Sequence, residues 1–250
     1  MKVLFSVLLL FSIETQARVF NITESSFATY FKGSYGLSNI KKDPYGKSSG
    51  AQTEFSDSVD FNWGGEIGFV FPSKDYSFKV GMAIIAPHSP SGIKGKDSGG
   101  AELMSLDSSV YGFFPVAHFE YYVAKNNFGR TYISFGGGYG KVSLKNDYTL
   151  TAAGDALYST PNSFSEKSSQ YTYLIETSVG YEMSFVQAVT VTFDLGYRYS
   201  AARKLKYDGA GDDFSDGHAE GDQVLDSDGK SKTLDLGGVF TGLSFRFYFN

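Results

Sequence analysis

The 250-residue sequence contains no cysteine, so disulfide bonds and thiolate chemistry are excluded from any account of its fold. No basic cluster stands out, and the net charge of -5 argues against a surface that neutralises nucleic-acid phosphates. Beyond the first residues, no apolar run approaches the ~20 residues of a membrane-spanning helix. If this chain crosses a membrane, it therefore does so as strands.

The only long apolar run lies at the N-terminus. Lys2 precedes the apolar stretch from Val3 to Ile13, and a short polar segment then ends at Ala17. This layout is typical of a secretory signal peptide, and the run is too short to span ~30 Å of hydrocarbon as a helix. We therefore predict a signal peptide over residues 1–17 and a mature domain over residues 18–250.

What is abundant is aromatic residues and glycine: 23 Phe, 18 Tyr and 29 Gly. They fall in stretches of about ten residues in which apolar side chains alternate with polar or small ones, the period of a β-strand. Each stretch has one apolar face. The eight stretches are FATYFKGSYGL, FNWGGEIGFVF, YSFKVGMAI, VYGFFPVAHFEYYV, YISFGGGYGKV, YTYLIETSVGYEMSF, VTVTFDLGYRYS and GLSFRFYFN.

The connections between these stretches alternate in length. Short turns are expected at Pro72–Asp75, Ala124–Arg130 and Val186–Ala188. Four long polar loops are expected at Asn39–Val59, Pro87–Asp107, Lys145–Ser168 and Ala201–Lys232. Bacterial outer-membrane barrels have this asymmetry, with short turns in the periplasm and long loops outside. The pattern predicts an all-β fold, an eight-stranded antiparallel transmembrane β-barrel. Ten strands are the alternative, because Tyr148–Leu150 and parts of the last loop could extend or add a hairpin.

Charged residues concentrate on the faces opposite the aromatic ones. In a soluble barrel the aromatic faces would overfill an eight-stranded interior, whereas in a membrane barrel they face lipid and the charges face the lumen. The predicted interior network is Lys32, Glu66, Lys79, His118, Glu120, Glu176, Glu182, Asp194, Arg198 and Arg246. We interpret it as a fixed plug, with a gate for a thin water path as the alternative.

Two other sequence patterns are weak signals, one for catalysis and one for calcium binding. His118 beside Glu120 is half of a hydrolase or acyltransferase site, but no motif places a nucleophilic serine near them. The acidic segment Asp208–Lys230 contains DSDG, part of a calcium-loop pattern, yet Val224 stands where its first ligand is required. We therefore assign no catalytic, metal-binding or cofactor-binding residues and expect no cofactor, although a cleft in the acidic segment near lipopolysaccharide phosphates could recruit divalent ions.

In strand pattern and architecture, the sequence from Phe27 to Asn250 resembles the small eight-stranded outer-membrane barrels of the OmpA transmembrane-domain and OmpX type. The resemblance implies that the C-terminal stretch carries the signal read by the barrel-assembly machinery, formed by Gly242, Phe245, Phe247 and Phe249. Asn250 after the last phenylalanine, and Phe240 at an expected polar position, depart from the usual pattern. No peptidoglycan-binding domain is expected after the barrel.

The resemblance and the pattern together imply a bacterial outer-membrane location and a non-enzymatic role in membrane structure and surface interaction. The expected partners are outer-membrane lipids and lipopolysaccharide, the barrel-assembly machinery, and an extracellular ligand, host surface or phage at the loops. No nucleic acid is expected as a partner. The alternative functions are a narrow pore for ions or small solutes and, less favoured, a lipid-modifying enzyme that uses His118.

Overall fold

A computed structural model describes residues 27–40, 54–55, 59–87, 92–158, 163–186, 188–211, 217–225 and 229–249. The predicted signal peptide, residues 1–17, lies outside these ranges. The elements are β1 (Phe27–Ile40), β2 (Glu54–Phe55), β3 (Val59–Pro72), β4 (Tyr76–Pro87), β5 (Ile93–Lys96), β6 (Glu102–Lys125), β7 (Gly129–Leu150), α1 (Ala152–Tyr158), β8 (Ser163–Val186), β9 (Val189–Tyr199), β10 (Ala201–Arg203), β11 (Lys206–Tyr207), β12 (Thr233–Asp235) and β13 (Gly238–Phe249).

Eight of these strands form a closed antiparallel ring in the order β1, β3, β4, β6, β7, β8, β9 and β13. Closure is made by β13, which pairs with β1 from Phe27–Phe249 to Gly36–Phe240 and with β9 on its other side. A closed ring leaves no strand edge with unpaired backbone groups, which hydrocarbon would not tolerate. The predicted eight-stranded barrel is confirmed, and the ten-strand alternative is wrong for the chain that the structure describes.

The short connections lie at one end of the ring, where Phe27 and Phe249 also lie. Three residues join β3 to β4, and three join β6 to β7. In the β6–β7 turn, the Asn126 side chain accepts hydrogen bonds from the backbone N–H groups of Phe128 and Gly129, both at 2.9 Å. These bonds replace ladder bonds where the chain reverses, so the turn closes tightly as its sequence predicts.

Two of the predicted long loops contain regular structure. The Lys145–Ser168 segment continues β7 to Leu150, forms α1 and then begins β8 at Ser163. The Pro87–Asp107 segment contains β5 and the first residues of β6. These long connections carry regular structure of their own, because strand pairing continues above the ring. The register runs unbroken from Gly129–Met183 to Thr149–Ser163.

A belt of large apolar side chains surrounds the outer face of the ring. Along β6 it includes Tyr111, Phe113, Phe119 and Tyr121, each between 42 and 53 % exposed, and Trp63 on β3 is 56 % exposed. Water does not tolerate a continuous surface of this kind, whereas lipid covers it. The chain is therefore a transmembrane barrel. In the described ranges, no helix combines the length and the apolar character needed to cross a bilayer.

The side-chain pattern reverses at the upper edge of this belt. Within the belt, the inward residues of β6, β7 and β8 are mostly polar or small. Above it, the inward residues are mostly apolar and join one buried cluster with residues of β10, β12 and their connections. The cluster includes Ile93, Leu103, Met104, Leu106, Val110, Phe114, Val142, Leu144, Tyr148, Phe164, Ala202, Leu205, Val224, Leu234 and Leu236. The same cluster reaches into the upper part of the belt through Ile85, Phe114, Val116 and Leu174. The charged network therefore lies in the membrane-level interior, and the apolar core begins at its upper edge and continues above the belt.

Candidate functional site

The ten residues predicted to face the lumen are all buried in the barrel interior. Four of them lie on one row across neighbouring strands, in which Lys79, His118, Gly136, Glu176 and Arg198 stand directly opposite one another in turn. Gly136 is the only member without a side chain. A Cβ there would lie 2.3 Å from the Ala117 carbonyl oxygen and 2.6 Å from the His118 Cα, so no larger residue fits beside His118 without a shift of the backbone.

Arg246 is the centre of the lower part of the network. Its Nη1 and Nη2 donate to the two carboxylate oxygens of Glu120 at 2.9 and 2.7 Å, and Nη1 also donates to Glu182 at 3.0 Å. The guanidinium is 1 % exposed. Ser77 donates a further bond to Glu120 at 2.7 Å. This paired geometry is the arrangement in which a buried arginine compensates the desolvation of two carboxylates.

Arg130 extends this cluster toward the short turns. Its Nε donates to Glu182 at 2.8 Å and its Nη2 donates to the Tyr248 hydroxyl at 2.9 Å, while that hydroxyl donates to the other Glu182 oxygen at 2.6 Å. The guanidinium also lies 3.9 Å from the Tyr122 ring centroid. Sequence reasoning assigned Arg130 to the turn and missed it. Its place two residues before the inward Tyr132 was the available signal.

The upper part of the network surrounds Glu66 and His118. Lys79 Nζ lies 3.8 Å from Glu66 and 3.7 Å from Glu120, so it joins the upper and lower carboxylates. Tyr30 donates a short hydrogen bond to Glu66. His118 Nε2 lies 3.7 Å from Glu66 and 3.9 Å from Glu176, too far for a hydrogen bond to either.

The remaining interior charges pair around β9. Arg198 Nε donates to Glu176 at 2.6 Å. Asp194 accepts a hydrogen bond from the Tyr132 hydroxyl at 2.6 Å and lies 3.9 Å from Lys32 Nζ. Every one of these side chains therefore has an opposite charge or a strong hydrogen-bond donor beside it.

Phe240 explains one departure of the sequence from the expected C-terminal pattern. Its ring is buried in the lumen, and both Lys32 Nζ and the Arg198 guanidinium lie 4.9 Å from its centroid. An aromatic face attracts both cations without adding a further charge. The position that a polar residue was expected to occupy thus still serves the charged network.

The four residues of the expected assembly signal lie on β13. Phe245, Phe247 and Phe249 point outward into the belt. Gly242 points inward, where a Cβ would come within 2.8 Å of the Lys32 side chain. Their role in assembly remains a prediction from the resemblance.

His118 is the residue that the enzyme alternative would use. Its Nε2 has no hydrogen-bond partner among the described residues. His118 is also 3 % exposed and lies inside the barrel wall, away from the lipid. The acidic segment Asp208–Lys230 is described only in part, and its DSDG residues 226–228 lie outside the described ranges.

No protein-family model and no curated protein sequence matches the chain. Among solved structures, the outer membrane protein OprG of Pseudomonas aeruginosa is 13 % identical over 92 % of this chain and 99 % of its own, with a TM-score of 0.44. A major outer membrane protein of Thermus thermophilus is 12 % identical over 89 % of this chain and 100 % of its own, with a TM-score of 0.45. Ail, the attachment invasion locus protein of Yersinia pestis, is 13 % identical over 89 % of this chain and 99 % of its own, with a TM-score of 0.40. At such identity and overlap, these likenesses say nothing of what this chain binds.

Proposed function

We propose that this protein is a non-enzymatic barrel of the bacterial outer membrane that supports membrane integrity and presents a rigid folded surface to the exterior. One observation carries the proposal. Strands β6, β7 and β8 continue as paired strands above the apolar belt and enclose a core of their own there. We call this upper part, made by residues 102–110, 142–158 and 163–170, the platform.

The platform is held by the same kinds of bonds as a soluble domain. Met104 and Leu106 are fully buried in its core. Thr151 ties the start of α1 to β6, because its backbone N–H donates to the Leu103 carbonyl at 2.9 Å and its hydroxyl donates to the Glu102 carbonyl at 2.8 Å. A surface with a packed core binds a partner with a smaller loss of conformational entropy than mobile loops do.

The interior favours a plug over the alternative of a pore. At membrane level the side chains of the network bridge strands across the lumen, as Arg246 of β13 does with Glu120 of β6 and Glu182 of β8. Above them the apolar core fills the space between the same strands. Eight-stranded barrels have interiors just wide enough for side chains, which fits a structural role for this network.

The other parts of the proposal concern export and partners. Residues 1–17 are removed as a signal peptide, and the barrel-assembly machinery inserts the chain through the signal on β13. The apolar belt contacts outer-membrane lipids, including lipopolysaccharide. The platform meets an extracellular ligand, a host surface or a phage, and no nucleic acid takes part.

Planar-bilayer conductance of the refolded mature protein separates the plug from the pore. We expect no discrete channels, because the lumen is filled by paired side chains, with folding verified by a heat-dependent gel shift. The variants Arg198→Ala and Arg246→Ala test the network directly. Discrete channels in the native protein whose size changes in either variant would replace the plug with a pore.

The surface role is tested by removing the top of the platform without changing the register. Ser143 and Ser169 are opposite each other, so an Asn-Gly turn can replace residues 144–168. In cells that display the protein, we expect the shortened variant to lose at least ~10-fold in adhesion to host cells or matrix, or in phage adsorption, the equivalent of ~1.4 kcal/mol.

The matched control carries a Gly-Ser insertion in the β6–β7 turn, at the opposite end of the barrel, and should keep full adhesion. Both variants must retain the heat-dependent gel shift. Equal adhesion and phage adsorption in cells that display the native protein, the shortened variant or no barrel would contradict the surface role.

A further inference from the structure

We propose that Glu66, His118 and Glu176 form a binding site for one divalent transition-metal ion inside the barrel. The three side chains come from β3, β6 and β8, and each is buried. Their donor atoms all lie within 4.8 Å of one another. The inference goes beyond the surface role proposed above and does not depend on it.

The three donor side chains lie close together where one inward position of the barrel wall has no side chain. His118 and Glu176 stand on either side of Gly136, which has no side chain to separate them. Glu66 approaches from β3, where it is opposite Lys32 of β1. The site therefore joins parts of the barrel that are not neighbours in the sheet.

The distances around His118 suit a bridging cation. Its Nε2 lies 3.7 Å from Glu66 Oε1 and 3.9 Å from Glu176 Oε2. Two ligands bound at about 2.1 Å in a tetrahedral arrangement lie about 3.4 Å apart, so a contraction of a few tenths of an ångström is sufficient. A bridging water with bonds of about 2.8 Å would separate them by about 4.6 Å, which is wider than observed.

A second observation points to the same ion. His118 Nε2 has no hydrogen-bond partner although the residue is only 3 % exposed, and it faces both carboxylates. A buried polar atom without a partner costs free energy comparable to a lost hydrogen bond. Metal coordination through Nε2 would satisfy it, since the neutral imidazole nitrogen is a common ligand.

The surrounding residues hold the ligands in place. Arg198 occupies Glu176 Oε1 at 2.6 Å, which directs Oε2 toward His118. Tyr30 donates to Glu66 Oε1, the oxygen that faces His118, and this oxygen keeps a second lone pair for the ion. Hydrogen bonds of this kind orient ligand groups around protein-bound metals. Lys79 shares Glu66, but it also lies 3.7 Å from Glu120 and keeps that partner when the ion binds.

The donor set identifies the class of ion. One imidazole nitrogen with two carboxylate oxygens suits zinc and its neighbours in the first transition row. Calcium, which takes ~6–8 oxygen ligands, fits the set poorly. Zinc is therefore the probe ion. The three protein ligands leave its fourth coordination position open for water.

The test is zinc titration of the mature protein, refolded in detergent micelles with the ion added during refolding because the site is enclosed. An excess of calcium blocks the exposed acidic side chains. We expect one zinc per barrel in the native protein and at least 10-fold weaker binding in His118→Gln. The control His218→Gln, the same change at a histidine of the upper connection, should bind as the native protein does.

Equal zinc binding in the native protein and in His118→Gln, or no zinc binding by the native protein, would overturn the proposal. X-ray absorption of the zinc-loaded double variant His88→Gln/His218→Gln, in which His118 is the only histidine, decides the matter even if His118→Gln does not fold. It should show imidazole scattering with Zn–N and Zn–O distances of about 2.0–2.2 Å. A spectrum without imidazole scattering would exclude the site.

Discussion

The two halves of β7 follow the same alternation of side chains with opposite chemistry. In the lower half, Ser134 and Gly136 face the lumen while Ile133 and Phe135 face outward at 47 and 64 % exposure. In the upper half, Val142, Leu144, Tyr148 and Leu150 face inward, while Lys145, Asp147 and Thr149 face outward. The backbone pairing with β8 is continuous through the change.

The solvent outside the barrel, and not the backbone, sets the polarity of each face of the strand. At membrane level, lipid takes the apolar side chains and the lumen keeps the charged ones, which then have to be paired with one another. Above the belt the outside is water, so the ordinary soluble arrangement returns and the same inward positions build an apolar core. A single strand therefore has lipid outside its lower half and water outside its upper half, and the polarity of its two faces is exchanged between the halves.

The greatest loss of stability is expected from a substitution in the charged interior at membrane level. Arg246→Ala leaves Glu120 and Glu182 without their shared cation. Among the described residues, Glu182 keeps Arg130, and Glu120 keeps only Lys79, which it shares with Glu66. One buried negative charge is thus left uncompensated, and removing one partner of a buried ion pair costs about 3–5 kcal/mol. Urea unfolding of the protein in lipid vesicles, followed by tryptophan fluorescence, should show a lower free energy of unfolding for the whole barrel.

The matched control is Lys125→Ala, which removes the exposed partner of Asp75 at 2.9 Å near the short turns. It removes a positive charge without leaving a buried group unpaired and should change stability little. A similar loss in both variants would show that net charge, rather than the buried network, holds the lower half together.

The next effect concerns the apolar half and should remain local. Leu106→Ala empties part of the platform core, where Leu106 is fully buried. A cavity of this kind costs about 2–5 kcal/mol. Hydrogen exchange should show reduced protection in the upper parts of β6 and β7, while the membrane-level strands and the heat-dependent gel shift stay unchanged.

Ser105→Ala is the neighbouring outward change and should leave exchange as in the native protein. If Leu106→Ala lowered protection equally throughout the barrel, the two halves would be one cooperative unit and the contrast between them would not extend to stability.

The smallest change in stability is expected from a carboxylate on the water-facing side of the platform. Partial burial raises the pKa of Asp147, but hydrogen bonds from Lys145 and Ser165 outweigh it and hold the pKa below its ordinary value. Asp147 therefore adds stability above its unfolded pKa of about 3.9, and that contribution is lost as pH falls through the lower folded value. A carboxyl-carbon NMR titration should give the lowered pKa, and Ser165→Ala should raise it.

If Asp147 instead titrated at the ordinary value in the native protein, its outer-face hydrogen bonds would have no energetic consequence. The result would then distinguish it from the paired carboxylates of the lumen even more sharply.

The membrane-level half is the part that the sequence predicts well. In lipid most outward residues are apolar, so alternation is strong. It predicts inward positions for Lys32, Glu66 and Arg198, which the structure buries. The partners of these charges did not follow from the sequence. Contacts such as Arg246 with Glu120 join strands far apart in the ring and depend on the stagger of the strands.

The platform was predicted less well for the complementary reason, and only Tyr148–Leu150 was considered as a possible extension. Above the belt the outward residues are polar, so the segment from Lys145 to Ser168 has no lipid-facing pattern and resembles a loop by composition. The inward series Leu144, Tyr148 and Leu150 is the signal that could have revealed the strand. Asn146 interrupts its apolar pattern, and its bonds to Ser108 and Tyr148 explain how a buried amide is tolerated there.

The position of Arg246 on β13 has a consequence for the order of folding. Its two carboxylate partners belong to β6 and β8, which both precede it in the chain, while β13 is the strand that closes the ring against β1. Until β13 docks, Glu120 and Glu182 lack the cation that neutralises both of them. The pairing of β13 with β1 and the neutralisation of these carboxylates therefore happen in the same step. A sheet that has not yet closed carries an unbalanced negative charge, which disfavours its release into the lipid before the ring is complete.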